Sequence, residues 1–145
     1  MDKRTLINLL HIVVIAPLAI YLGYKGYVDE PVEKAWDLTL FLIAIFGFIY
    51  HFFKMINPPE PVTLNMFRII NIFHLIIFTP IAVYVTANQY YDQEVPKIFY
   101  NLLIILGIWA LLYNVYVMVK TYQSNAGRTT SGTPVLVSQP KSPPK

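Results

Sequence analysis

The sequence predicts an all-α membrane protein: a four-transmembrane-helix bundle from two parallel tandem repeats of a helical hairpin, with an extended C-terminal tail. Three observations predict it. The 145 residues are 56% hydrophobic and only 13% charged, where a soluble domain carries roughly a quarter charged residues. Four apolar stretches cover about residues 6–22, 36–53, 67–86 and 98–119. Sliding the chain by 63 residues aligns its two halves without a gap.

Each stretch is read as a span because a helix needs about 20 mostly apolar residues to cross a hydrocarbon core of about 30 Å. The first two are slightly short, but aromatic rings flank them and extend their reach. Soluble helices apolar on every side would need a large protein around them, and little chain is left to provide it. Lys3 and Arg4 ahead of the first apolar run also suit a signal peptide. The same segment recurs internally, so a retained helix is expected instead.

Basic residues set the expected orientation. Lys3 and Arg4 precede the first span, Lys54 and Arg68 flank the central loop, and Lys120, Arg128, Lys141 and Lys145 follow the last. The other two loops carry Asp29, Glu30, Glu33, Asp37, Asp92 and Glu94 against Lys25, Lys34 and Lys97. Both termini and the central loop are therefore expected on the cytoplasmic side of a multi-pass protein.

In the alignment, Asn8, His11, Pro17, Ala19 and Tyr21 fall on Asn71, His74, Pro80, Ala82 and Tyr84. Tyr27, Asp29, Val32 and Lys34 fall on Tyr90, Asp92, Val95 and Lys97. The shared motif reads Asn-x-x-His-x5-Pro-x-Ala-x-Tyr. It divides the chain into a first repeat (1–60), a second repeat (61–123) and a tail (124–145). A unit that crosses twice re-enters from the same side, so the repeats are parallel about an axis along the membrane normal. The stiff central loop, Asn57 to Pro61, is expected to hold the two units apart.

Pro17 and Pro80 lie inside helices, where each removes a backbone hydrogen bond and is expected to kink the helix. Ala44 with Gly47, and Gly107 with Ala110, put small residues three apart, a pattern that lets helices approach closely. Asn8 and His11 share one helix face, as do Asn71 and His74; the second helices end on the same side with Tyr50–His51 and Tyr113–Asn114. The plain use of these eight residues is an interhelical hydrogen-bond network. Two sharper uses stay open: His11 and His74 as axial ligands of a haem, or a proton or ion path.

No metal-ligand spacing, nucleophile–base pair or phosphate loop is visible, and there is no Cys. A non-enzymatic protein without a metal is expected, with the bilayer as its first partner and no nucleic acid. Homo-oligomers are left open. Tyr21, Tyr24, Tyr27, Trp36, Tyr84, Tyr90, Tyr91, Phe99 and Tyr100 are expected as one interfacial belt, and Tyr50, Phe52, Phe53, Tyr113, Tyr116 and Tyr122 as the other. The tail is too polar to fold alone. Its apolar Val135, Leu136 and Val137 and its Pro140, Lys141, Pro143, Pro144 and Lys145 suit a protein partner or lipid headgroups.

The repeated motif, followed by a turn and a helix ending Tyr-His or Tyr-Asn, resembles small membrane proteins of large icosahedral DNA viruses. The resemblance covers roughly residues 7–120. It implies a structural protein of a virion internal membrane whose tail reaches minor capsid proteins and tethers the shell.

Overall fold

A computed structural model of the chain describes residues 3–57 and 66–130. They are all-helical, and four helices are long and apolar enough to cross a membrane. Helix α1 (residues 3–27) joins Lys3–Leu10, a π-helical turn His11–Ile15, and Ala16–Tyr27. Helix α2 is Lys34–Ile56. Helix α3 (residues 66–90) repeats the first pattern as Met66–Phe73, a π-helical turn His74–Phe78, and Thr79–Tyr90. Helix α4 is Lys97–Thr130.

The apolar spans hold 23, 23, 23 and 27 residues. At 1.5 Å per residue they are roughly 34–40 Å long, ample for the hydrocarbon core. They outrun the apolar stretches because polar residues and rings at the ends, such as Tyr24, Lys25, Gln89 and Tyr90, also adopt helix. Residues 124–130 continue α4, so the boundary expected at Ser124 is not where the helix stops. Once nucleated, a helix adds residues at little cost, and no proline follows until Pro134. The residues from Val135 to Lys145, expected to bind a partner, lie outside the described residues, as do Pro58, Pro59 and Pro61 of the central loop.

The hairpins do not stand side by side. Helix α1 packs chiefly along α4 and α2 chiefly along α3, so each first helix lies on the second helix of the other hairpin. The core is drawn from matched positions: Ala19 and Ala82, Leu22 and Val85, Leu40 and Leu103 are all fully buried. Outward, Val13, Phe46, Ile76 and Leu112 are 62–69% exposed. Continuous apolar surface of this kind is rare on a soluble monomer and suits lipid.

Lipid tails are as apolar as leucine, so close packing has to supply what hydrophobic burial supplies in water. Between α1 and α4 it does. A Cβ on Gly23 would lie 2.7 Å from Ile104 Cγ1 and 2.9 Å from the Tyr100 carbonyl oxygen. One on Gly107 would lie 2.7 Å from Ile20 Cγ1 and 3.1 Å from the Ala16 carbonyl oxygen. The aligned positions between α2 and α3 hold the buried Thr86 and Ala44. Thr86 satisfies its hydroxyl on the Ala82 carbonyl at 2.7 Å. Ala110 is buried too. Gly47 differs from the expected packing role, since a Cβ there would meet nothing within 4 Å.

The prolines explain the π-turns. A mid-helix proline clashes with the carbonyl four residues back and lacks the N–H that carbonyl needs. Here Ala16 N–H bonds to the His11 carbonyl and Thr79 N–H to the His74 carbonyl, each five residues back. The widened turn places Pro17 and Pro80 at the start of a fresh α-helical segment, where a missing N–H is tolerated. Both helices run on through the proline.

Each first helix then ends alike. Asp29 (φ 57°) and Asp92 (φ 55°) are left-handed. Asp29 N–H donates to the Gly26 carbonyl and Glu30 N–H to that of Lys25; Asp92 and Gln93 do the same to Gln89 and Asn88. This is the Schellman arrangement, with Asp where Gly is usual. The left-handed carboxylates meet the opposite hairpin: Lys97 Nζ donates to Asp29 at 2.7 Å and Lys34 Nζ to Asp92 at 2.6 Å.

Candidate functional site: a histidine cluster beside an apolar cleft

All three histidines of the chain converge. His11 sits one turn after Ile7 and its Nδ1–H donates to the Ile7 carbonyl at 2.8 Å. His74 makes the matching bond to the Ile70 carbonyl at 2.9 Å. A carbonyl only accepts, so in both rings Nδ1 carries the proton and Nε2 keeps its lone pair. His51, near the end of α2, bonds through Nδ1 to Asn71 Oδ1 of α3 at 2.6 Å. Its ring lies flat on His74, with centroids 4.1 Å apart and planes 22° apart. His11 meets His74 edge-on at 6.1 Å and 85°.

The sequence places these residues in one network, and the structure joins part of it. His11, His51, His74 and Asn71 are connected, and Tyr50 adds a perpendicular contact to His51 at 5.2 Å. Lys54 Nζ lies 4.5 Å over the Tyr50 ring, holding a cation at that end. Asn8 and Asn114 are buried at the aligned positions, but Asn114 Nδ2 donates to the Ala110 carbonyl of its own helix at 2.7 Å. Tyr113 turns to Trp109, stacked at 5.6 Å. Asn71 Nδ2 is buried with no partner among the described residues.

A cavity of about 300 Å³ opens beside the cluster, at the low end of ligand pockets. It is lined from α1, α2 and α3, by Leu10, Phe46, Gly47 and the three histidines among others, and its surface is almost wholly apolar. Chemically the cluster places imidazole rings beside an apolar cleft. Imidazole ligates a metal in the plane of its ring, so the stacked His51 and His74 do not converge on one ion. No group suited to a metal occurs among the described residues. A haem would need His11 and His74 opposed across a slot, whereas they meet edge to face with His51 covering one of them.

At the far end of the bundle, Asp37 is expected at the membrane edge but is only 2% exposed. It stands in the first turn of α2, where the helix dipole favours a carboxylate, and its Oδ1 has no partner among the described residues. Sequence reasoning also overlooks Gly23 and Gly26, the latter directly under the Tyr100 ring. It counts Asp29, Lys34, Asp92 and Lys97 as loop charges and repeat positions but does not pair them. The 63-residue alignment of both Asp–Lys pairs was the available signal for their pairing.

Comparison with known families, curated proteins and solved structures finds no match to this chain.

Proposed function

We propose that the chain is a structural membrane protein: a tandemly duplicated hairpin forming a stiff multi-pass anchor, with its termini on the cytoplasmic side and its tail binding protein partners. The observation that supports this reading most is the crossed clasp. Lys34–Asp92 and Lys97–Asp29 tie each hairpin to the other, and the cross-packed helices make the two hairpins one body. Such a bundle resists separation and suits a platform. The resemblance to virion membrane proteins extends the reading: capsid proteins are the partners, and the tail tethers the shell to the membrane beneath it.

The test is removal of residues 131–145. The shortened chain should keep its thermal midpoint in detergent and lose the proteins that co-purify with the full chain. Unchanged co-purification would sink the tethering role. Tags on the two termini should both be reached by cytosolic protease; a protected terminus would overturn the orientation.

A further inference from the structure

The two repeats differ beside the histidine cluster in volume and in charge together. At the positions 63 residues on from the cleft, Leu10 is replaced by Phe73, Phe46 by Trp109 and Gly47 by Ala110. The Phe73 and Trp109 rings are 4.7 Å apart, and Trp109 stacks on Tyr113. At the first cleft, by contrast, a Cβ on Gly47 would meet nothing within 4 Å. One helical turn past Tyr50 of the lining stands Lys54, and the aligned residue of the second repeat is Val117. The repeat with the smaller side chains is therefore also the repeat with the cation.

The lining is almost wholly apolar, and on α2 it runs from Ile43 to His51. That is about 12 Å of helix, most of the depth of one leaflet in a hydrocarbon core of about 30 Å. Leu10, Phe46 and Tyr50 of the lining are exposed, so the cleft opens on the surface that faces lipid. Hydrocarbon fits such a lining. Charge marks one end of it. Lys54 Nζ lies 4.5 Å over the Tyr50 ring, which keeps the ammonium beside the last residues of the cleft. Arg68, in the first turn of α3, stands at the same end of the bundle. The acidic residues described, Asp29, Glu30, Glu33, Asp37, Asp92 and Glu94, all lie at the opposite end. A headgroup of net negative charge thus meets cations where the cleft ends. A zwitterionic one brings its own cation to the same place.

We propose that the cleft holds an acyl chain of an anionic phospholipid whose phosphate lies at Lys54. The second repeat, with Phe73 and Trp109 in contact and valine in place of the lysine, takes none, so one lipid binds per chain.

The test uses the full chain in nanodiscs of phosphatidylcholine mixed with phosphatidylglycerol of identical acyl chains. Native mass spectrometry of the released protein counts the lipid that stays bound. One phosphatidylglycerol should be retained per chain, enriched about fivefold over its share of the bilayer, the worth of one lysine beside an anionic headgroup. Lys54→Gln should keep a retained lipid but lose the enrichment. Gly47→Leu fills the space, adds helix propensity, and should lose the retained lipid while the thermal midpoint holds. Val117→Lys supplies the cation where the cleft is closed and should retain no second lipid. Retention without preference for phosphatidylglycerol, a preference that survives Lys54→Gln, or retention that survives Gly47→Leu overturns the proposal. A second lipid on Val117→Lys overturns it too, because a lysine alone would then suffice.

Discussion

Lys97, at the first turn of α4, reaches Asp29 in the turn that closes α1, 68 residues earlier, at 2.7 Å. Lys34 makes the same contact with Asp92, and each lysine also lies over the tyrosine that precedes its acceptor turn, Tyr27 for Lys97 and Tyr90 for Lys34. The hairpins are thus clasped reciprocally. Each acidic residue does two jobs: it accepts the left-handed turn, which Asp tolerates better than most residues, and it supplies the charge.

Proximity is the first prediction, and the absence of cysteine from the chain makes it clean to measure. The pairs Asp29→Cys with Lys97→Cys, and Lys34→Cys with Asp92→Cys, should both be joined within one chain by a short bifunctional thiol reagent. Failure of both would refute the crossed arrangement. The energetic share is small, because these side chains are 52–77% exposed. Lys→Ala at either position should cost at most about 1 kcal/mol, and less as salt is raised.

Gly23 and Gly47 should respond oppositely to a larger side chain. Gly23→Val forces α1 off the Tyr100 carbonyl and Ile104, which overpacking studies put at about 1–3 kcal/mol. Gly47→Ala meets open space and should gain up to about 1 kcal/mol from helix propensity. Thermal midpoints in one detergent decide this. Equal losses at both sites would show that the α1–α4 contact is looser than the structure has it.

What was legible in the sequence is what one helix or one repeat carries by itself. Apolar length marked the four spans, and the recurring Asn, His and Pro put His11 and His74 at matched positions of the two repeats. Helix pairing was not legible, because lipid-facing and helix-facing residues are equally apolar and hydropathy cannot say that α1 lies on α4. The π-turns were hidden for a related reason: proline implies a lost hydrogen bond, but whether the helix kinks or widens depends on its neighbours. Gly47 matched Gly107 in pattern, yet only three-dimensional packing separates a contact from a space.

The His51–Asn71 bond links α2 to α3 inside the bundle and should be measurable as a coupling. Asn71→Ala and His51→Ala each remove one partner and should destabilise by about 1–3 kcal/mol, since the other is left buried and unsatisfied. The double variant should recover part of that loss. Coupling between such groups in membrane proteins averages about 0.6 kcal/mol and reaches about 1.7. Strict additivity would mean that the two residues do not interact. Asn114→Ala removes only a bond within its own helix and should cost less.

Absorbance tests the haem alternative directly. Axial ligation by His11 and His74 requires two imidazoles to aim their Nε2 atoms at one iron from opposite faces of a flat ring. The observed rings stand at 85° in edge contact, and His51 lies over His74. Opening a slot would therefore expel His51 and break its bond to Asn71, a cost the macrocycle would have to offset. Protein expressed with supplied haem should purify without a Soret band. His51→Ala, which uncovers His74, should be colourless as well, because the mismatch between His11 and His74 remains. A Soret band in the native chain that disappears in His11→Ala and in His74→Ala would replace the purely structural reading with a haem protein.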